Sequence, residues 1–95
     1  MDKKEILKLL NKRPAMNYED YSLTESYRKE LVSAFVGNED EIIFFLNSMS
    51  DKQLLYASEV FDELYDYLGE SESFAKKLKE IQKKRPNIDL GLGEY

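Results

Sequence analysis

The chain contains no histidine, no cysteine and no tryptophan, and has only two prolines and four glycines in 95 residues. Each absence removes chemistry. Without cysteine there is no disulfide framework and no thiolate metal site, and nothing about redox compartment opposes the cytosol. Without histidine the usual general base, the usual imidazole metal ligand and every Ser-His or Cys-His nucleophile pair are gone. The four glycines fall into no G-x-x-x-x-G-K-[ST] or G-x-G-x-x-G pattern, so no loop of that kind cradles a phosphate. Long hydrophobic runs are missing too. The longest, Ile42 to Leu46, falls far short of the ~20 residues that span a bilayer. The opening MDKKEILKLLNKRP is basic, but its apolar patch is short and interrupted by Lys8, which does not make a signal peptide. These features lead us to expect a soluble, cytoplasmic protein with no cofactor, no bound metal and no catalytic residue.

What remains suits one small globular domain over residues 1–95: 42% hydrophobic and 35% charged residues. Helix signals dominate. Residues 2–12 place Ile6, Leu9 and Leu10 on one face, and Pro14 stops the helix. Asn17 to Tyr21 reads as a polar, aromatic connection. Ser22 and Glu25 match a capping box, opening a helix that aligns Leu23, Tyr27, Leu31, Ala34 and Phe35 and ends at a left-handed Gly37-Asn38 cap. The apolar run Ile42 to Leu46 is compatible with a buried strand, but the acidic turn after Asn38 favours a short helix. Ser50 and Gln53 make a second capping box, which begins a long helix from Asp51 to Leu68 ending at Gly69. Its core stripe reads Leu54, Ala57, Ser58, Phe61, Leu64 or Tyr65, and Leu68. A last helix over 72–84 carries Phe74, Leu78 and Ile81 and ends at Arg85-Pro86. Residues 86–95, with Ile88, Leu90 and Leu92 alternating, form an extended tail laid against the bundle. The expected fold class is all-α, a small bundle of four or five short helices.

Charge is distributed unevenly. The overall net charge is −5, but between residues 38 and 73 ten acids face only Lys52, whereas residues 74–95 are net basic. Such a negative field repels nucleic acid and attracts a basic surface. Within it, Glu59 and Glu63 are four apart, as are Asp62 and Asp66, so each pair shares a side of its helix. Carboxylate pairs of this kind could serve a hard cation or acid/base chemistry, but bundle metal sites draw on several helices and usually on histidine. The neighbours Ser50 and Lys52 do not face each other on a helix and make a poor dyad. The more productive reading is a contact surface. Tyr56, Glu59, Glu63, Asp66 and Tyr67 fall away from the core stripe, with Asp62 and Glu70 beside them. Tyrosine offers a stiff contact area with a polar tip, and acids around it steer a basic partner. Tyr18, Glu19, Asp20 and Tyr21 add a second aromatic-acidic element. Against this stands a plainer arrangement, in which lysines of the last helix pair with Asp62, Asp66 or Glu70 and the acids form a balanced, solvated face.

The stretch SDKQLLYASEVFDELYDYL, followed by FAKKLKEIQKKRPNIDL, resembles small acidic helical immunity proteins of bacterial toxin–immunity systems, of the contact-dependent inhibition or polymorphic toxin kind. The likeness rests on a SEVF(D/E)E(L/I) helix and a lysine-containing helix ending in (Y/R)P.ID, and covers roughly residues 48–92. Colicin-type nuclease immunity proteins are similar in size, acidity and helical character, though their Tyr-Tyr-Pro element is absent here. The resemblance implies tight binding and neutralisation of a cognate toxin's C-terminal domain, commonly a nuclease; the expected protein is a monomer with no direct contact to nucleic acid or membrane. On the SEVFDEL element it puts Glu59, Asp62 and Glu63 first among the contacts. Two other readings use the same features: a self-associating helical adaptor with Ile42 to Leu46 and the tyrosines in its seam, and an acidic nucleic-acid mimic that inhibits a host enzyme.

Overall fold

Helix α1 (Lys3–Lys12) begins where Asp2, in extended backbone, accepts the amide hydrogen of Glu5 on its carboxylate at 3.1 Å. The acid satisfies an N–H that the first turn leaves open and sits at the positive end of the helix dipole. The computed structural model describes residues 1–15 and 21–94. Ile6, Leu9 and Leu10 are buried, as their spacing requires. At Pro14, whose ring removes the donor that an α-helix would need, the chain tightens into a 3-10 turn, Arg13–Ala15.

Helix α2 (Tyr21–Ala34) buries Tyr27, Leu31 and Ala34, and Phe35 follows inside the core. Three details depart from expectation. The helix already includes Tyr21, so Ser22 stands inside it and not at its cap. Leu23 is 46% exposed, so the buried stripe of α2 begins at Tyr27. Gly37 is not left-handed; positive φ among the glycines occurs at Gly69 and Gly91. Instead α2 ends by tightening, with the Phe35 amide shared between the carbonyls of Leu31 and Val32 and the Val36 amide on Ser33. A Cβ on Gly37 would lie 3.1 Å from the Glu41 carboxylate, the movable end of an exposed side chain.

The run Ile42 to Leu46 is helical, within α3 (Glu39–Asn47). Asn38 caps it by accepting from the Glu41 amide at 2.8 Å, and three acids occupy the first turn, where the dipole favours them. Ser50 and Gln53 make the reciprocal capping box that opens α4 (Asp51–Ala57).

The single long helix expected from Asp51 to Leu68 is broken. A 3-10 turn, Ser58–Val60, separates α4 from α5 (Phe61–Tyr67). The Ser58 hydroxyl donates to the Leu55 carbonyl, which the Glu59 amide would take in an uninterrupted α-helix. That competition bends helices. The buried stripe is Leu54, Ala57, Val60, Phe61 and Leu64, so Val60 belongs to the core while Ser58, Tyr65 and Leu68 are only partly covered. After α5, Gly69 and Glu70 both adopt positive φ (73° and 58°). Their amides return to the carbonyls of Asp66 and Tyr65, a Schellman closure.

Helix α6 (Glu72–Lys84), capped by Ser71, buries Phe74, Ala75, Leu78 and Ile81. The tail behind it packs as expected, with Leu90 and Leu92 buried, though it closes with a 3-10 turn, Leu92–Glu94. Side chains from all six helices and the tail meet in one hydrophobic cluster, and no strand occurs among the described residues. The protein is a small all-α domain.

Candidate functional site: the acidic middle of the chain

The two glutamates foremost in the sequence reading are both engaged within the fold. Glu59, in the 3-10 turn, receives Arg13 Nε on Oε1 at 3.0 Å and Arg13 Nη2 on Oε2 at 2.9 Å. Arg13 is 1% exposed, with its guanidinium 5.7 Å from the centroid of the Tyr27 ring. Glu63, one turn further on α5, pairs with Arg28 of α2. The four-residue spacing therefore aims both carboxylates at arginines from the first half of the chain, and they tie α5 and its preceding turn to the Arg13 turn and α2.

Asp62 and Asp66 take the other side of α5 and are exposed. They share a groove with Tyr65, Glu72, Ala75, Lys76 and Lys79, so acids on one wall look across at lysines of α6 on the other. This resembles the balanced face weighed above; elsewhere Lys77 of α6 pairs with Glu39 and Asp40, and Arg85, just after α6, with Asp51. Tyr56 is half-buried against the core. Tyr67 is 42% exposed and its hydroxyl donates to the Gly37 carbonyl at 3.4 Å. Glu70 is exposed at the left-handed turn. Tyr18, Glu19 and Asp20 lie outside the described residues, as does the side chain of Tyr21, which opens α2.

The contact residues named from the sequence leave out α3, whose Ile42 to Leu46 entered only as the seam of a self-associating adaptor. Glu39 accepts from the hydroxyls of Ser71 and Ser73 and from Lys77 Nζ at 3.0 Å, while Lys77 also reaches Asp40 at 3.0 Å. The Ser71 hydrogen bond, with help from Lys77 and Ser73, holds the Glu39 carboxyl below its ordinary value against the opposing effect of burial. Hydrogen bonds to Asp40 and then Glu39 push the Lys77 ammonium up. Asp40, though it takes Lys77, is exposed, as are Glu41 and Phe44, the last at 75%. A signal for this was present: Ile42, Phe45 and Leu46 at i, i+3 and i+4 complete an apolar stripe and leave Phe44 off it.

Among the described residues no three or more Asp or Glu side chains converge to hold a metal ion, and no helix is long and apolar enough to cross a membrane. What the described surface offers is a set of outward carboxylates with exposed rings among them. Comparison with protein-family models, with curated proteins and with solved structures finds no match to this chain.

Proposed function

We propose that this chain is a binding protein, an immunity protein that neutralises a basic bacterial toxin domain, with a nuclease the best candidate. The observation that carries the reading is the acidic middle of the chain, ten acids against Lys52 over residues 38–73. Asp40, Glu41, Asp62, Asp66 and Glu70 remain exposed there, as do the rings of Phe44 and Tyr67. A nuclease needs a basic cleft for phosphates, and a negative surface carrying aromatic contacts can occupy or flank such a cleft. Association would be fast and would weaken with salt. The resemblance of residues 48–92 to toxin–immunity proteins supports the same reading. The protein would act as a monomer in the cytoplasm of the toxin-producing cell, as a stoichiometric inhibitor and not as an enzyme.

On this reading the contact falls partly on other residues than those the sequence puts first. Glu59 and Glu63 have arginine partners within the fold, so they suit a supporting role; the more exposed carboxylates, among them Asp40 beside Lys77, and the Tyr67 ring suit the contact better. A tagged protein used to capture partners from its source organism at low and at high salt, with the captured protein identified and co-expressed, tests the proposal. Recovery of one basic toxin domain, released by salt and made harmless by co-expression, is the expected result. Recovery of this chain alone would favour the self-associating adaptor, which concentration-dependent sedimentation would then establish. Recovery of a DNA-binding host enzyme would favour the nucleic-acid mimic.

A further inference from the structure

The acids of α5 and the lysines of α6 look at each other without pairing. Asp62 and Asp66, one turn apart, stand on one wall of a groove of about 640 Å³, and Lys76 and Lys79 stand on the other. Helical spacing continues the α6 row to the exposed Lys83, while Glu72 heads it, so this row is net positive and the α5 row is negative. Asp66, Lys76, Lys79 and Lys83 enter no ion pair among the described residues, whereas Lys77, beside Lys76, has two. Tyr65, half-buried, and Ala75, buried, also line the groove. The surface is therefore a strip of negative charge beside a strip of positive charge.

Charge of both signs selects the occupant. A uniformly basic surface would gain at the α5 row and be repelled at the α6 row, and a phosphate backbone or an anionic lipid surface would meet the reverse. A second copy of the chain meets attraction at both. Turned about a two-fold axis that runs along the groove, each copy lays its acids over the lysines of the other. An axis across the groove sets like over like, so the charges fix the orientation as well as the partner. We propose that the α5–α6 groove is a self-association surface, where Asp62 and Asp66 of one copy meet Lys76 and Lys79 of the other. The two Tyr65 rings then approach each other in the groove and add contact. Exposed ion pairs are individually weak and are screened by salt, so the association is weak too. At the low concentrations at which a tight inhibitor acts, the chain is a monomer. Where it accumulates, the pair forms and covers Asp62 and Asp66. The self-contact needs no toxin, and it lies apart from the seam of the adaptor reading, which includes Ile42 to Leu46.

Sedimentation of the full-length chain at low and at high salt tests the pairing. The wild type should self-associate at low salt by about 1 mM chain and come apart at high salt. Amide shifts that follow chain concentration should centre on residues 62–66 and 76–79. Asp62→Lys with Asp66→Lys makes both rows net basic, and Lys76→Glu with Lys79→Glu makes both net acidic. Each variant alone should associate at least about tenfold more weakly. Mixed in equal amounts, the two should recover association as a one-to-one pair, a result that a damaged fold cannot produce. If either reversed variant lacks the helical circular dichroism of the wild type, the milder Asp66→Asn with Lys76→Gln takes its place and should weaken association about threefold. Phe44→Ser should leave association unchanged, whereas a seam through α3 would lose it. The proposal is overturned by a wild type that stays monomeric at about 1 mM in low salt, or by association indifferent to salt or to these charge changes. It is also overturned by a mixture no tighter than its parts, or by loss of association in Phe44→Ser. A toxin domain is bound by one copy, so failure of the pairing leaves the toxin reading standing, and failure to capture a toxin leaves the pairing standing.

Discussion

Arg13 and Glu59, separated by 46 positions in sequence, form a two-pronged ion pair in which the guanidinium is buried and the carboxylate partly so. Opposite charges at this depth are costly to separate, because the survivor stays desolvated without its partner. Glu59→Ala should therefore cost about 3 kcal/mol of stability. Arg13→Met, which fills similar space with apolar atoms and leaves the less buried Glu59 free to meet water, should cost clearly less. Urea unfolding of the two variants checks this order. Equal, small losses would mean that the pair adds nothing beyond packing. The result also bears on function: a Glu59 variant that fails to bind a partner must first be shown to be folded.

Glu39 and Lys77 give the fold a pH dependence of known sign. The folded Glu39 carboxyl sits below its ordinary value of 4.5, chiefly through the Ser71 hydroxyl and then through Lys77 and Ser73. Its contribution is therefore complete above pH 4.5 and is lost as pH falls through the lowered folded value. Lys77 is raised above 10.5 by Asp40 and Glu39, so its contribution is present below pH 10.5 and is lost as pH climbs through the raised value. Glu39→Gln should cost about 1.5 kcal/mol at pH 7. In urea titrations the gap between wild type and Glu39→Gln should narrow steadily below pH 4.5; a gap independent of pH would remove the charge from the explanation.

The helices were legible because their signals are local. Ser50 with Gln53, the Ile6, Leu9 and Leu10 stripe, and Phe74, Leu78 and Ile81 each lie within two or three turns, and each held. Val60 was legible in principle, standing three residues after Ala57 and four before Leu64, but a stripe drawn through Ser58 rotated it out of view. The partners of Glu59 and Glu63 were not legible. Helical spacing shows that two acids share a side, while Arg13 and Arg28 reach that side only once the bundle has closed. The break at Ser58 is similar: a serine inside a helix can bond back to a carbonyl or point to solvent, and the sequence does not say which. The exposure of Phe44 follows only when the stripe Ile42, Phe45 and Leu46 is drawn through the run of five apolar residues, a step that the seam reading did not take.

The turn after α5 offers a paired test at adjacent residues. Gly69 and Glu70 both hold positive φ, and a Cβ on Gly69 would meet no atom within 4 Å. Gly69→Ala should therefore cost about 1 kcal/mol from backbone strain alone. Glu70→Gly should do the reverse, raising stability by up to about 1 kcal/mol. Thermal or urea midpoints of the two variants should move in opposite directions. If Glu70→Gly destabilises instead, the Glu70 side chain contributes more than its exposed position suggests.

Gln82 fastens the tail to α6 with one side-chain amide. Its Nε2 donates to the carbonyls of Arg85 and Ile88, at 3.1 and 2.7 Å, and its Oε1 accepts from the Leu90 amide at 2.7 Å. These contacts sit where the chain turns back, so they set the path that delivers Leu90 and Leu92 to the core. Gln82→Ala removes all three and leaves partly buried backbone groups to find water, a loss of about 2 kcal/mol. Because the loss is concentrated in the tail, hydrogen exchange should quicken first at Leu90 and its neighbours while the amides of α3 and α5 keep their protection. Exchange that quickens uniformly would make the tail part of the cooperative core. Local release with partner binding intact would place the tail outside the contact surface, and local release with binding lost would place it inside.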